Sequence, residues 1–255
     1  MKAVILNSGL GSRMGELTRG RHKSMLPLSD GETVFGRQLR LLREIGVREF
    51  VVTTGAFARQ LAEEAARPEN KDINVTFVSN PLFRETNYIY SLYLAREYLN
   101  DDILLIHGDL VFDRACAEAL LADSRPSLGM VNPNKPLPAK DFKARQRDGA
   151  IVEISTGIFG SDCCAFQPFY KLERKAVSAW VHKIESFVEH GDTGVYAENA
   201  LNEILPQSPL QAFDYSAYYV DEIDDARDYA RVSEEIRAFD IREQGIYPEA
   251  SGRKE

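Results

Sequence analysis

Cysteine is scarce: Cys116, Cys163 and Cys164 are the only three in 255 residues. Adjacent cysteines suit disulfide geometry poorly. Neither these three nor the four histidines, His22, His107, His182 and His190, fall at metal-ligand spacings. Buried thiols in a reducing compartment are the expectation. Long apolar runs are also missing, and none approaches the roughly 20 residues that span a bilayer. Met1-Lys2 leads straight into an apolar strand, unlike a signal or transit peptide. A cytoplasmic protein is therefore expected. Positive charge is outweighed, with 31 Lys and Arg against 39 Asp and Glu and a net charge of −8. That balance argues against nucleic acid and anionic membranes as general partners, and leaves room for a local cationic pocket. No internal repeat or low-complexity segment occurs.

What is present is concentrated in the first 27 residues. The apolar run Ala3-Val4-Ile5-Leu6 opens into Asn7-Ser8-Gly9-Leu10-Gly11-Ser12-Arg13, with Lys23 and Pro27 behind it. A buried strand ending in a glycine turn lets backbone N–H groups approach phosphate oxygens, and Arg and Lys balance the charge. A dinucleotide fingerprint requires a third glycine where Met14 stands, and an acid ending the next strand. That strand, Phe50-Val51-Val52-Thr53-Thr54-Gly55, ends without one. A Walker A loop requires Gly-Lys-Ser/Thr, and Lys23-Ser24 lie too far from Gly11. A glycine turn without a ligand is the plain alternative.

Strand candidates at 2–6, 49–54, 73–78 and 103–106 alternate with amphipathic segments at 33–45, 57–66 and 87–99. This rhythm predicts an α/β fold: a Rossmann-like, mostly parallel, mixed sheet flanked by helices. Ligands of such sheets bind beyond the strands' carboxyl ends. A helix near 113–122 leads to a strand at 128–131. Residues 132–149 read as a loop or hairpin insertion, long enough to be functional or mobile. Further strands are expected at 150–154, 158–166 and 211–214, and helices at 171–189, 196–205 and 225–239. One domain over 1–240 with a frayed tail over 241–255 results.

Two carboxylate sites stand out. Asp109 follows Ile103-Leu104-Leu105-Ile106-His107-Gly108, which puts it at a strand's carboxyl end facing the glycine loop. A helix cap or turn is its structural alternative. In Tyr219-Val220-Asp221-Glu222-Ile223-Asp224, alternation turns Glu222 and Asp224 to one side and Asp221 and Ile223 to the other. Asp224 also suits the N-cap of the last helix. Mg²⁺ favours one or two protein carboxylates with phosphate oxygens and water.

Gly9-Leu10-Gly11-Ser12-Arg13 followed by Lys23-Ser24-Met25-Leu26-Pro27 resembles the signature of nucleotidyltransferases that join a sugar or alcohol phosphate to a nucleoside monophosphate. Asn7-Ser8 replaces the usual Ala-Ala of that signature. The resemblance implies the nucleotidyltransferase fold, with Arg13 and Lys23 on the phosphates as catalytic cations. It implies nucleotide contacts from Leu6, Asn7, Gly9, Gly11 and Ser12, together with Asn87, Ser91 and Asp109. Asp109 and Asp224, with Glu222 as helper, would hold Mg²⁺. No general base is required, because the acceptor phosphate is already ionised. Catalysis would be alignment and charge neutralisation.

Asn87-Tyr88-Ile89-Tyr90-Ser91-Leu92-Tyr93-Leu94 resembles a run of bacterial phosphocholine cytidylyltransferases, and phosphonate cytidylyltransferases carry a similar Tyr-Ser-Leu. Val195-Tyr196-Ala197-Glu198-Asn199 and Glu222-Ile223-Asp224 resemble those enzymes as well. Transfer of CMP from CTP to phosphocholine or a related phosphate or phosphonate follows as the implied activity. Tyr90, Tyr93, Tyr196, Glu198 and Trp180 are the acceptor candidates, since a quaternary ammonium binds over aromatic faces beside a carboxylate. Tyr90 and Tyr93 share a helical face and would otherwise be core. Trp180 would otherwise pack inside its helix. Lys140, Lys143 and Arg145 in the insertion would instead suit an anionic acceptor. A sugar-1-phosphate nucleotidylyltransferase and a non-catalytic nucleotide-binding regulatory module are the alternatives. The quaternary state, a homodimer included, stays open.

Overall fold

A computed structural model describes residues 1–28 and 31–243, apart from the side chains of Ser12 and of 241–243. Four parallel strands form its first half: β1 (Lys2–Asn7), β2 (Glu49–Thr54), β3 (Asn74–Ser79) and β4 (Ile103–His107). They stand in the order β3-β2-β1-β4. The chain therefore leaves β1 to one side and returns to the other, which opens a crevice at the β1–β4 carboxyl ends. Three helices make the crossovers: α1 (Val34–Glu44), α2 (Ala58–Ala65) and α3 (Tyr88–Ala95). Thr33 caps α1 by accepting from the Gly36 N–H, and Asn87 caps α3 by accepting from Tyr88 N–H.

After β4 come β5 (Leu110–Phe112), α4 (Arg114–Ala122), β6 (Leu128–Asn132), β7 (Lys143–Arg147), β8 (Ala150–Ser155) and β9 (Cys163–Leu172). The rest is α5 (Arg174–Glu189), α6 (Ala197–Ile204), β10 (Leu210–Asp214), β11 (Val220–Glu222) and α7 (Ala226–Glu243). The main sheet continues past β4 as β9-β6-β10-β8-β7, with β9 antiparallel to both β4 and β6. The sheet is thus mixed, as expected. One core lies on the α3, α5 and α6 side, and a second on the α1 and α4 side. No helix among the described residues is long and apolar enough to cross a membrane.

Several expected boundaries move. The strand expected at 158–166 runs from Cys163 to Leu172. The apolar pair Ile158-Phe159 instead lies in the connection between β8 and β9, where Phe159 is exposed beneath the Lys143 ammonium. Within β9, Pro168 coincides with the register break opposite Gly129 and Met130, where a missing N–H costs nothing. Residues 143–147 of the insertion join the sheet edge, pairing with both β8 and β9. The last helix continues to Glu243, past the tail boundary expected at 241. Arg37 clamps it through two 2.8 Å hydrogen bonds to Asp240. The rest of the expected tail, 244–255, lies outside the described residues.

A two-stranded ribbon has the largest consequence for the site. β11 pairs antiparallel with β5, setting Glu222 opposite Leu110, and Ile223 N–H donates to the Asp109 carbonyl at 3.1 Å. Residues more than a hundred positions apart are thereby held at the β4 end. Ile223 turns inward to Met14, Val111 and Val232, while Glu222 and Asp224 face the crevice.

Candidate active site

The glycine loop lies across the β1–β4 crevice. Its entrance is built by close approach. A Cβ on Gly108 would lie 1.7 Å from Asn7 Oδ1, and one on Gly55 would lie 2.4 Å from the Ser8 carbonyl. Glycine is the only residue that fits either position. Gly11 adopts φ +63°, which starts the turn toward Arg13. Ser8 Oγ bonds Ser91 Oγ at 2.7 Å, and Asn80 Nδ2 donates to Ser91 at 3.0 Å. The polar Ser8 thus ties the loop to α3. His22 accepts from the Ser24 N–H at 3.1 Å and bonds the Gly9 backbone, linking the glycine loop to the lysine turn. Burial first, then the neighbouring Lys23, lowers its pKa to about 4.

Beyond the loop the charges interlock. Lys23 Nζ donates to Asp109 Oδ2 at 2.5 Å and to Asp224 Oδ1 at 3.2 Å, and Arg13 Nη2 donates to the same Asp224 oxygen at 2.9 Å. Burial works against charging Lys23, but Asp109 and Asp224 raise its pKa. Burial also disfavours the Asp109 carboxylate, and Lys23 outweighs it, so its pKa is lowered. Glu222 forms no ion pair among the described residues, and the pull of Lys23 on it is the weakest of its influences. Burial and then Asp109, Asp224 and Asp141 drive its pKa well above the ordinary carboxylate range. Carboxylates outnumber cations here. Asp109 Oδ1 is also buried without a hydrogen-bond partner. Hard oxygen donors with an unmet negative charge fit a divalent cation such as Mg²⁺.

The ligand atoms fall into two groups, each within 4.8 Å: His107, Asp109 and Glu222, and Asp141, Glu222 and Asp224. His107 and Asp141 are additions to the expected set. Asp141 has no motif to announce it, since it reaches the site only because β7 joins the sheet. The burial of His107 lowers its pKa.

Two cavities meet at Asp109. The first, about 240 Å³, is lined by Leu6, Asn7, Gly9, Gly11, Arg13, His22, Lys23, Gly108, Asp109 and Asp224. Most of the expected phosphate residues are here; the Ser12 side chain lies outside the described part. The second, about 180 Å³, is lined by Ser8, Phe83, Thr86, Asn87, Tyr88 and His107, and shares Leu6, Gly9 and Asp109 with the first. Tyr88 meets His107 edge-on at 4.8 Å and Tyr196 at 5.9 Å, and Tyr196 meets Phe142 at 5.0 Å. Beneath them Glu198, 1% exposed, accepts hydrogen bonds from the Tyr88 hydroxyl and, at 2.6 Å, from Tyr170.

None of the five expected acceptor residues lines either cavity: Tyr196 and Glu198 stand against Tyr88, and the other three stand elsewhere. Tyr90 and Tyr93 stack on each other at 5.8 Å, with Arg96 over Tyr93, and line neither cavity. Helical spacing turns them away from Tyr88, the α3 tyrosine that does line one. Trp180 is 2% exposed in the core, its indole N–H donating to the Ala197 carbonyl at 3.0 Å. It supports the α6 start that carries Glu198. Ser91 is buried and acts through Ser8.

A mixed sheet with a glycine loop and strand-end carboxylates at the switch point of its parallel half has the layout of a ligand-binding α/β domain. Residues 3–136 match the MobA-like NTP transferase domain, and the chain belongs to that family. It is 36% identical over 154 residues to the CMP-5′-(3-aminopropyl)phosphonate synthase of Streptomyces rubellomurinus, covering 60% of this chain and 24% of that protein. It is 35% identical over 114 residues to the choline-phosphate cytidylyltransferase of Haemophilus influenzae, covering 45% and 46%. The match thus spans between about a quarter and a half of these relatives' length. Among solved structures, the CTP:phosphocholine cytidylyltransferase of Streptococcus pneumoniae superposes with a TM-score of 0.76 at 20% identity, covering 92% of this chain and 98% of that one. At that identity the likeness shows a shared fold.

Proposed function

We propose that this protein is a CTP-dependent cytidylyltransferase that moves CMP onto phosphocholine or a related small phosphate or phosphonate bearing a cationic group. One observation carries the reading. A cavity lined by Arg13, Lys23 and two carboxylates adjoins one lined by Phe83 and Tyr88, and Asp109 lines both. The first suits a triphosphate, and the second suits an alkylammonium over aromatic faces with a carboxylate nearby. The names of the two curated relatives support this acceptor class. The free thiols of Cys116, Cys163 and Cys164 support a reducing, cytoplasmic setting.

Arg13 and Lys23 would exchange their carboxylate partners for the triphosphate oxygens. The backbone between Gly9 and Gly11 would sit against the same phosphates. Phe83 and Tyr88, the latter held by Glu198, would orient the acceptor so that its ionised phosphate or phosphonate oxygen stands in line with the α-phosphorus. One P–O bond forms there, the α–β bridging bond breaks, and pyrophosphate leaves. No proton moves in the bond-making step, so no general base is needed. Asp109, Asp224 and Glu222 would hold Mg²⁺, which when bound supplies charge neutralisation at the α-phosphate. Lys23 and Arg13 neutralise the departing pyrophosphate.

The test is an acceptor panel run with CTP and Mg²⁺: phosphocholine, phosphoethanolamine, 2-aminoethylphosphonate, glycerol phosphate and sugar 1-phosphates. Pyrophosphate release with the ammonium-bearing members is the expected outcome. Preference for a sugar 1-phosphate would replace the acceptor assignment. CTP binding with no turnover on any member would make the protein a nucleotide-binding module.

A further inference from the structure

We infer that Asn80 is a positioning residue: its buried side-chain amide holds one wall of the second cavity, residues 82–87, against the glycine loop. The consequence for the acceptor rests on the function proposed above, whereas the positioning itself rests on geometry alone.

Asn80 follows β3, and its N–H extends the ladder by donating to the Thr54 carbonyl at 2.8 Å. The residue is 2% exposed and lines neither cavity. Its amide is engaged at both ends. Oδ1 accepts from the Leu82 N–H at 2.8 Å, a local turn that starts the wall. Nδ2 donates to Thr86 Oγ1 at 3.1 Å and to Ser91 Oγ at 3.0 Å. Thr86 in turn donates to the Leu82 carbonyl at 2.8 Å, which closes the turn that carries Phe83. Ser91 bonds Ser8 Oγ at 2.7 Å. One planar group therefore fixes the wall and, through a single hydroxyl, the start of the glycine loop.

Packing agrees with the bonds. A Cβ on Gly55 would lie 2.4 Å from the Ser8 carbonyl and 3.0 Å from the Phe83 ring, so glycine at 55 lets loop and wall meet. The far end of the wall is tied as well, since Asn87 N–H donates to the Thr193 carbonyl at 2.8 Å. Ser8, Phe83, Thr86 and Asn87 all line the second cavity. A turn alone would require only the bond to Leu82. The Asn80 amide also spends both N–H donors on hydroxyls of two other segments, and a buried network satisfied in this way selects one arrangement. Leucine is close to asparagine in size and can make none of these bonds.

The test compares Asn80→Leu and Ser91→Ala with the wild-type full chain, first by hydrogen exchange without ligand, then by steady-state kinetics with CTP and phosphocholine. Asn80→Leu should raise amide exchange about tenfold or more over 82–87 and at Ser8 and Gly9, with β1 still protected. Its KM for phosphocholine should rise about tenfold while kcat stays within about threefold, a split that general loss of folded protein does not produce. Ser91→Ala cuts only the arm to the glycine loop. It should show the same KM split at smaller size, which keeps the proposal testable where Asn80→Leu folds poorly. Unchanged exchange over 82–87 in Asn80→Leu, or a fall in kcat with KM unmoved in either variant, would overturn the proposal. Failure of the wild-type protein on the whole acceptor panel would overturn the proposed function, while the exchange comparison still decides the role of Asn80.

Discussion

The two cavities that meet at Asp109 are assembled in opposite ways. The phosphate side comes mainly from one stretch, Leu6 to Lys23, with Asp109 and Asp224 closing it. Its cations are already engaged, since Lys23 and Arg13 pair with the carboxylates they would share with a ligand, while Asp109 Oδ1 and the Asn7 amide are left without partners. The aromatic side is gathered from the end of β1, the segment before α3, α3 itself and β4, and its Tyr88 is backed by a buried Glu198 that accepts from two tyrosine hydroxyls. On the proposed reading one side would work by charge exchange and the other by aromatic shape. Substitutions on the two sides should therefore separate in kinetics.

The largest effect should come from the shared residue. Asp109→Asn is expected to lower kcat by about 10³-fold, with the thermal midpoint nearly unchanged. Steady-state pyrophosphate release checks the rate and a melting curve checks the fold; activity near wild type would remove Asp109 from the centre.

His22 offers a stability test on the phosphate side. Its folded pKa of about 4 lies below the unfolded value of about 6.5. The unfolded chain then binds the proton first, so the stability linked to His22 is present above pH ~6.5. It is lost as pH falls toward about 4, to the extent of about 3 kcal/mol. Half-buried His107 acts in the same direction. Urea unfolding across this range should show the slope, and His22→Asn should flatten it.

Trp180→Phe is next. It should cost about 1–3 kcal/mol through the lost indole hydrogen bond and volume, with turnover retained. A specific rise in acceptor KM at unchanged stability would instead place Trp180 at the acceptor. Glu198→Gln should raise the KM for phosphocholine about tenfold while leaving the KM for CTP in place. Smallest of all, Tyr90→Phe should change neither constant by more than about twofold. A large acceptor effect there would contradict the separation of Tyr90 and Tyr93 from the cavity.

The contrast also explains what was legible in the chain. Strands β1 to β4 announce themselves by apolar runs, and the glycine loop by close-approach glycines, so the phosphate side could be read from neighbouring residues. The alternation in 219–224 likewise placed Glu222 and Asp224 together. The ribbon β5–β11 could not be read, because three residues per strand carry no periodicity. Asp141 and Phe142 stand at the site only through the tertiary docking of β7. Tyr88, Tyr90 and Tyr93 look alike in sequence. Only the orientation of α3 against the sheet selects Tyr88. His107 lacked any metal spacing because its partners arrive from another strand.

The central claim is nucleotidyl transfer at Asp109, and label transfer from CTP tests it most directly. CTP labelled at the α-phosphate, incubated with Mg²⁺ and phosphocholine, should pass its label into CDP-choline in a one-to-one ratio with released pyrophosphate, and Asp109→Asn should stop both. Label that remains in CTP, or is released as free CMP, across the whole ammonium-bearing acceptor series would contradict the account.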